Sequence, residues 1–466
     1  MQLKNFFFIF CFFLAGTLLG QQETPSNDAF FIRSIYDQAL TNGQAYDWLT
    51  FLSEEIGGRL SGSPEAAAAV EYTRQVMDTL GMDSIWLQPC QVPHWSRGER
   101  EQVRIVNSSK MGTVALRALA LGNSIGTGPA GLAAEVVEVK SLEEVDSLGR
   151  SEVEGRIVFY NGPMDPTQIN TFNAYGGAAG QRVYGASKAA KYGAVAVLVR
   201  SLTNRIDTVP HTGVMIYRDE APQIPAIAIS TMDAELLSRL LQEEPVRVFM
   251  RNTSKMLAEK TSYNVIGEIR GSTHPEEIIL VGGHLDSWDV GGGAHDDGAG
   301  CVHSLDVIHI LKRLGYQPNR TIRCVMFMNE ENGQYGAQVY QKISDENGEY
   351  HLAAIESDRG GFTPRGFSCD ADERVFNQKF KKLTEWLPLL EPYGLTFKKG
   401  GSGADISRLK PQKGMLIGFM PDSQRYFDYH HTPIDHIQAV NKRELHMGVA
   451  AMTSLVYLLD KYGLDE

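Results

Sequence analysis

Five short segments of this 466-residue sequence concentrate side chains that bind metals or move protons. They hold His284 and Asp286, Asp296 and Asp297, Glu330 and Glu331, Asp358, and His430, His431 and Asp435. Each has an ordinary explanation when taken alone. A single histidine after a strand, such as His284, is more often a hydrogen-bonded structural residue. Asp286 changes that balance, because a carboxylate two residues on can accept the imidazole's second N–H and fix its tautomer. The run Gly291 to Gly300 resembles a phosphate loop in its glycine content. It lacks the Gly-Lys-Ser/Thr ending, and the adjacent Asp296 and Asp297 would repel phosphate. Glycines there let the backbone turn tightly and aim a carboxylate. Glu330-Glu331 would usually be a solvated acidic pair. Directly after an apolar strand, it reads better as one ligand and one base.

Taken together the segments supply two histidines and three carboxylates as a ligand set. Zinc takes nitrogen and oxygen donors, and its catalytic sites keep a position open for water. Two Zn²⁺ ions carry four positive charges, of which three carboxylates offset three. A bridging hydroxide brings the total near neutrality, so the donor set favours two divalent ions over one.

The elements that must position these groups follow from periodicity. β-rich runs over 264–270, 277–281, 321–328, 353–356 and 415–420 alternate with helical patterns over 300–314, 335–343 and 442–459. That alternation predicts an α/β fold, with a mixed, mostly parallel sheet sandwiched by helices. Three of the chemical segments lie just beyond the carboxyl ends of predicted strands, where open α/β sheets bind ligands. Helices are predicted over 28–52 and 65–80, joined by a turn-rich loop at 56–64. Between them and the main alternation, residues 122–250 carry strands at 135–139, 156–160, 195–199 and 226–229. Helices over 184–192 and 232–241 lie among those strands, and the whole reads as an inserted α/β module.

Gross composition narrows the function classes. With 43% hydrophobic and 21% charged residues the chain is that of an ordinary globular protein. A net charge of -12 argues against nucleic acid as a partner. Residues 1–20 have the layout of a secretory signal: Lys4, then a Phe-rich apolar run to Leu19, then Gly20. The apolar run is short for a membrane span, so none is expected after cleavage. Cys11 lacks the small residues that precede a lipoprotein cysteine. Cys90, Cys301, Cys324 and Cys369 then remain, too few for a disulfide scaffold but enough for one or two bridges.

With these motifs in view, the sequence closely resembles peptidase family M28, the co-catalytic zinc aminopeptidases. The motifs are Gly-Gly-His284-Leu-Asp286, Ala-His-Asp296-Asp297-Gly-Ala-Gly, Asn-Glu330-Glu331-Asn-Gly, Glu-Ser-Asp358 and His-His431-Thr-Pro-Ile-Asp435. The resemblance extends over nearly all of the chain beyond the leader. It implies the zinc aminopeptidase fold with an inserted protease-associated domain. The corresponding division is 1–20 signal, 21–121 first part of the catalytic domain, 122–250 insert and 251–466 main catalytic part. It implies two Zn²⁺ bridged by Asp296, with His284 and Asp358 on one ion and Glu331 and His431 on the other. His431 rather than His430 fills the family's terminal histidine position. Glu330 takes the general-base position, while Asp286 and Asp435 fall where carboxylates orient the two histidines. The Asp296–Asp297 peptide is cis in such enzymes. Asp405, in a glycine-rich loop where relatives line the substrate pocket, and His430 are implied candidates for substrate binding.

The activity so implied is that of an exported, periplasmic or extracellular exopeptidase. It would hydrolyse dipeptides or short peptides through a metal-bridging hydroxide, with a homodimer as the expected assembly. A broader-specificity aminopeptidase is the nearest alternative. Glutaminyl cyclases share the fold but use one zinc and lack the insert. Receptor-like scaffolds of the same architecture have lost ligands, whereas all five are present here.

Overall fold

The computed structural model describes residues 27–218 and 220–464, so the leader-like segment lies outside it. Sixteen strands are present among these residues. They are β1 (Ser84–Ser96), β2 (Gln102–Ser108), β3 (Gly112–Leu116), β4 (Ala118–Ala120), β5 (Leu132–Val139), β6 (Ile157–Tyr160), β7 (Ala196–Arg200) and β8 (Ala226–Ile229). The remainder are β9 (Arg247–Arg251), β10 (Lys255–Ile269), β11 (His274–His284), β12 (Arg320–Phe327), β13 (Tyr350–Glu356), β14 (Pro364–Asp370), β15 (Thr396–Lys399) and β16 (Met415–Pro421). Two eight-stranded sheets result, one ordered β1-β10-β12-β11-β13-β16-β14-β15 and the other β3-β2-β9-β5-β6-β7-β8-β4. The centre of the first sheet is parallel, from β12 through β11 and β13 to β16. Its flanks are antiparallel at β1, β10 and β14, giving the expected mixed sheet.

The central strands are apolar on both faces because both are covered. Ile279 and Val281 of β11 pack into a core with helices Asn27–Asn42, Ala299–Arg313 and Lys442–Tyr462. Leu280, between them, joins Phe327, Ala337, Tyr340 and Leu409 in a core on the opposite face. Alternation of side chains across the pleat thus ties one strand to two helical layers.

Several elements differ from expectation for local reasons. The helix expected over 28–52 breaks at Gly43, where a Cβ would collide with the Ala39 carbonyl and Asp306. β1 went unpredicted because Pro89 and Pro93 interrupt its run. It is an edge strand, where a missing N–H is tolerated. The helix expected over 184–192 in fact spans Thr171–Ala190. Gly176, Gly177, Gly180 and Gly185 weaken its sequence signal. The second sheet includes β2, β3 and β4, ahead of residue 122, because β2 pairs with β9 and β4 with β8. Cys90, Cys301, Cys324 and Cys369 are all buried free thiols, so none of the bridges allowed for is formed by them. Among the described residues no helix is long and apolar enough to cross a membrane.

Leu455 is fully buried midway along the Lys442–Tyr462 helix. Leu455→Ala should cost about 2–5 kcal/mol by opening a cavity, read as a lowered urea midpoint.

Candidate active site

Four strand ends converge on one cluster. His284 is the last residue of β11, Glu330 and Glu331 follow β12, and Asp358 follows β13. Asp296 sits in the turn Ala294–Gly298 that leads into helix Ala299–Arg313, and His431 lies beyond β16. Asp296 is central. Its Oδ1 is 3.3 Å from His284 Nε2, which in turn is 3.5 Å from Asp358 Oδ1. Its Oδ2 is 3.2 Å from His431 Nε2, which is 3.1 Å from Glu331 Oε2. The five predicted ligand residues are therefore gathered as two groups sharing one carboxylate. His430 stacks on His431 with ring centroids 3.5 Å apart. Its Nε2 approaches Asp296 Oδ2 only to 3.7 Å, so it stands at the margin of the cluster.

The supporting contacts differ from those expected. Asp286 was expected to orient His284 through its carboxylate. Instead its backbone carbonyl lies 2.9 Å from His284 Nδ1, and the carboxylate is 3.9 Å away. That carboxylate accepts the backbone N–H groups of Asn329 (2.6 Å), Glu330 (3.0 Å) and Glu331 (3.3 Å). Asp286 is better occupied there, since the turn bearing both glutamates presents three amides that need acceptors. Asp435, expected beside His431, accepts the N–H groups of His295 (2.8 Å) and Asp296 (3.1 Å). The Asp296–Asp297 peptide is cis, as expected. Asp297 accepts the backbone N–H groups of His284 and Gly300, both at 3.0 Å. A Cβ on Gly283 or Gly300 would collide with its carboxyl, which explains both glycines.

Three contributors were not singled out from sequence. Arg59, fully buried, donates to the carbonyls of Leu285 (2.6 Å), Gly292 (2.8 Å) and Gly293 (3.0 Å). It thereby pins the loop between His284 and Asp296. The available signal was a charged residue between two glycines and Leu60, which reads locally as a turn. The second is the segment 211–213 of the other sheet's module. The Thr212 carbonyl lies 3.3 Å from His431 Nδ1, the Thr212 N–H donates to the His431 carbonyl at 3.0 Å, and His211 Nδ1 meets the His430 carbonyl at 2.9 Å. Nothing local in the sequence connects positions more than two hundred residues apart. The third is Glu356, the last residue of β13, buried beside Asp405.

Electrostatics follow from crowding. Burial, partly opposed by His284, pushes the Glu330 carboxyl up to about 8, with Asp358 and Glu331 adding to it. Burial and the Asp296 charge push Glu331 up to about 7. Burial disfavours ionisation of Asp296, but the imidazoles of His284 and His431 outweigh it and hold Asp296 well below the usual carboxylate range. Burial opposes a charge on His431, yet Glu331 and Asp296 raise it to about 10. The cluster carries more acid than its own histidines neutralise.

The fold is α/β, and its strand ends carry a cluster that shares one carboxylate, Asp296. Residues 264–456 match peptidase family M28. Carboxypeptidase Q of Bos taurus is 34% identical over 430 residues, covering 91% of this chain and 87% of that protein. The Homo sapiens carboxypeptidase Q is 34% identical over 428 residues, with 91% and 87% covered. A crystal structure of a peptidase M28 precursor from Shewanella amazonensis superposes with a TM-score of 0.88 at 32% identity, over 94% of this chain and 98% of that one. BSAP, a zinc aminopeptidase from Bacillus subtilis, shares the fold with a TM-score of 0.62 at 20% identity, over 89% and 94% of the two chains. The chain belongs to peptidase family M28.

Gly213, at φ 134°, packs so closely on His431 and Arg182 that a Cβ would strike both. Gly213→Val should displace His431 and, if His431 serves as the ligand the resemblance implies, weaken divalent-metal binding roughly 10–100-fold. Competition titration with a chromogenic chelator checks this.

Proposed function

We propose that this M28 peptidase is an exported two-zinc exopeptidase acting on dipeptides or short peptides. The observation that supports the reading best is the sharing of Asp296 between His284 with Asp358 and His431 with Glu331. The donors suit zinc: two imidazole nitrogens and carboxylate oxygens, brought together at one buried edge. Asp296 Oδ2 and Glu331 Oε1 are buried without a hydrogen bond of good geometry, which is how an oxygen reserved for a cation stands. Asp296 would bridge, with His284 and Asp358 on one ion and Glu331 and His431 on the other. When bound, the two ions would lower the pKa of a water from 15.7 towards about 7 and polarise the scissile carbonyl.

The chain's own residues account for the rest of the reaction. Glu330 is partly exposed, and its backbone N–H is anchored on Asp286 at 3.0 Å. It acts as general base, taking a proton from the attacking water at its carboxylate and returning it to the departing amine. Asp286 fixes the Glu330-Glu331 turn, and the Thr212 carbonyl fixes the ring of His431. His430, stacked on His431 at the margin of the cluster, would contact the substrate. The module around the second sheet acts as a protease-associated domain, and the names of the carboxypeptidase Q relatives support exopeptidase chemistry. Export is supported by the leader-like run from Lys4 to Gly20.

Glu330→Gln is expected to retain two zinc ions by elemental analysis and to lose about 10²–10⁴ in kcat. Near-normal turnover would remove Glu330 from the base role. Treatment with 1,10-phenanthroline should abolish hydrolysis, and added zinc should restore it. Activity that survives complete metal removal refutes the zinc mechanism.

A further inference from the structure

We infer that Arg359 is a specificity-determining residue whose guanidinium receives a carboxylate of the substrate; this rests on the exopeptidase reading above and adds to it the charge the peptide should carry. Arg359 directly follows Asp358, where the chain leaves β13. It is partly exposed, as are Asp358 and Glu330, so it stands on the accessible side of the cluster. Beyond its own chain neighbours, a Cβ placed on Gly401 would meet only the Arg359 guanidinium, and that at 3.9 Å, so this flank is open.

The donors of this guanidinium have no protein partner. Its carbon lies 5.1 Å from the centroid of the Phe172 ring, and no acceptor among the described residues takes a hydrogen bond or ion pair from it. Beside so much acid that is unexpected. Asp358 and Glu356 are near enough for their charges to act on Arg359, yet neither pairs with it. Other arginines of the same wall are engaged: Arg182 donates to the Tyr175 hydroxyl at 2.7 Å and Arg425 to Glu444 at 3.2 Å. Stacking explains how Arg359 is held apart. Phe172 opens the helix Thr171–Ala190 of the second sheet's module. Its ring stacks on Tyr426 (5.0 Å, 29°) and meets Phe427 edge-on (5.0 Å, 67°). A guanidinium lying over such a platform keeps its planar fork of N–H donors free, the geometry that grips a carboxylate through two parallel hydrogen bonds. A peptide offers that group as an acidic side chain or as its free α-carboxylate, and the fork binds both alike. Without Arg359, the acids of the cluster would turn an anionic peptide away.

The test uses the full zinc-loaded chain and its Arg359→Gln and Arg359→Lys variants. Its substrates are dipeptide pairs that differ by one carboxylate: Glu-Ala against Gln-Ala, Ala-Glu against Ala-Gln, and Ala-Ala against Ala-Ala amide. In at least one pair the wild type should favour the carboxylate member by about 10–100-fold in kcat/KM, the range for a hydrogen bond to a charged group. Arg359→Gln should erase that preference by raising KM for the carboxylate member, with KM for its uncharged partner unchanged. Arg359→Lys should keep part of it, because the charge remains without the fork. Zinc content and melting temperature, measured alongside, should match the wild type. The pair that responds names the source: the N-terminal side chain in the first, the C-terminal side chain in the second, the α-carboxylate in the third. A wild type that favours no carboxylate member overturns the assignment. So does an Arg359→Gln variant that keeps the preference or slows every substrate alike. Should that variant lose zinc or melt early, Phe172→Leu takes its place, removing the platform; a preference it leaves intact overturns the assignment too. If the zinc-loaded wild type cleaves none of these peptides, the exopeptidase reading fails, and calorimetry of the same pairs on wild type and variants still decides the role of Arg359.

Discussion

Crowded negative charge at one edge of a sheet is the constraint on which this structure depends. Asp286, Asp296, Asp297, Glu331, Glu356, Asp405 and Asp435 are each no more than 5% exposed. Carboxylates withdrawn from water need hydrogen bonds or counter-charges, and the fold divides these seven by which they get. Asp286, Asp297 and Asp435 are satisfied by backbone amides and sit near the fully buried Arg59. They hold the loops. Asp296, Glu331, Glu356 and Asp405 keep unpartnered oxygens. The same residue type thus serves as scaffold or as site according to the amides around it.

Arg59 makes that density tolerable. Its guanidinium donates to four carbonyls, those of Gly57, Leu285, Gly292 and Gly293, while lying among Asp286, Asp297 and Asp435. Donors in a planar fork suit this task, because they bind carbonyls in fixed directions while the charge acts on all sides. The glycines of the same loops are required by proximity. Gly283 and Gly300 bracket the Asp297 carboxyl, and Gly403 yields to Glu356. Backbone approaches that close exclude any side chain.

The second sheet is mechanically part of the site. Its segment 211–213 exchanges hydrogen bonds with His430 and His431, and Arg97 bridges Glu101 and Asp289 at 3.1 Å and 2.7 Å. His431 itself is held at φ 61°. The positions of His430 and His431 are therefore set in part by residues of the second sheet's module.

How much was legible from sequence varies with the range of the cause. The β11 to β13 strands, the helices after them and the residues at their ends follow from local periodicity, since a strand covered on both faces is apolar throughout. Proline-bearing β1 and the glycine-bearing helix Thr171–Ala190 were hidden because tertiary packing overrode weak local propensity. The family motifs gave the identities of His284, Asp296, Glu331, Asp358 and His431, and the structure brought all five together. Residue types and order determined which groups could bind a cation and near which strand ends. Only the tertiary structure decided which acids take backbone amides, which stay unpartnered, and that Arg59 and Thr212 complete the site. Those outcomes depend on contacts between segments far apart in sequence, and no local pattern records them.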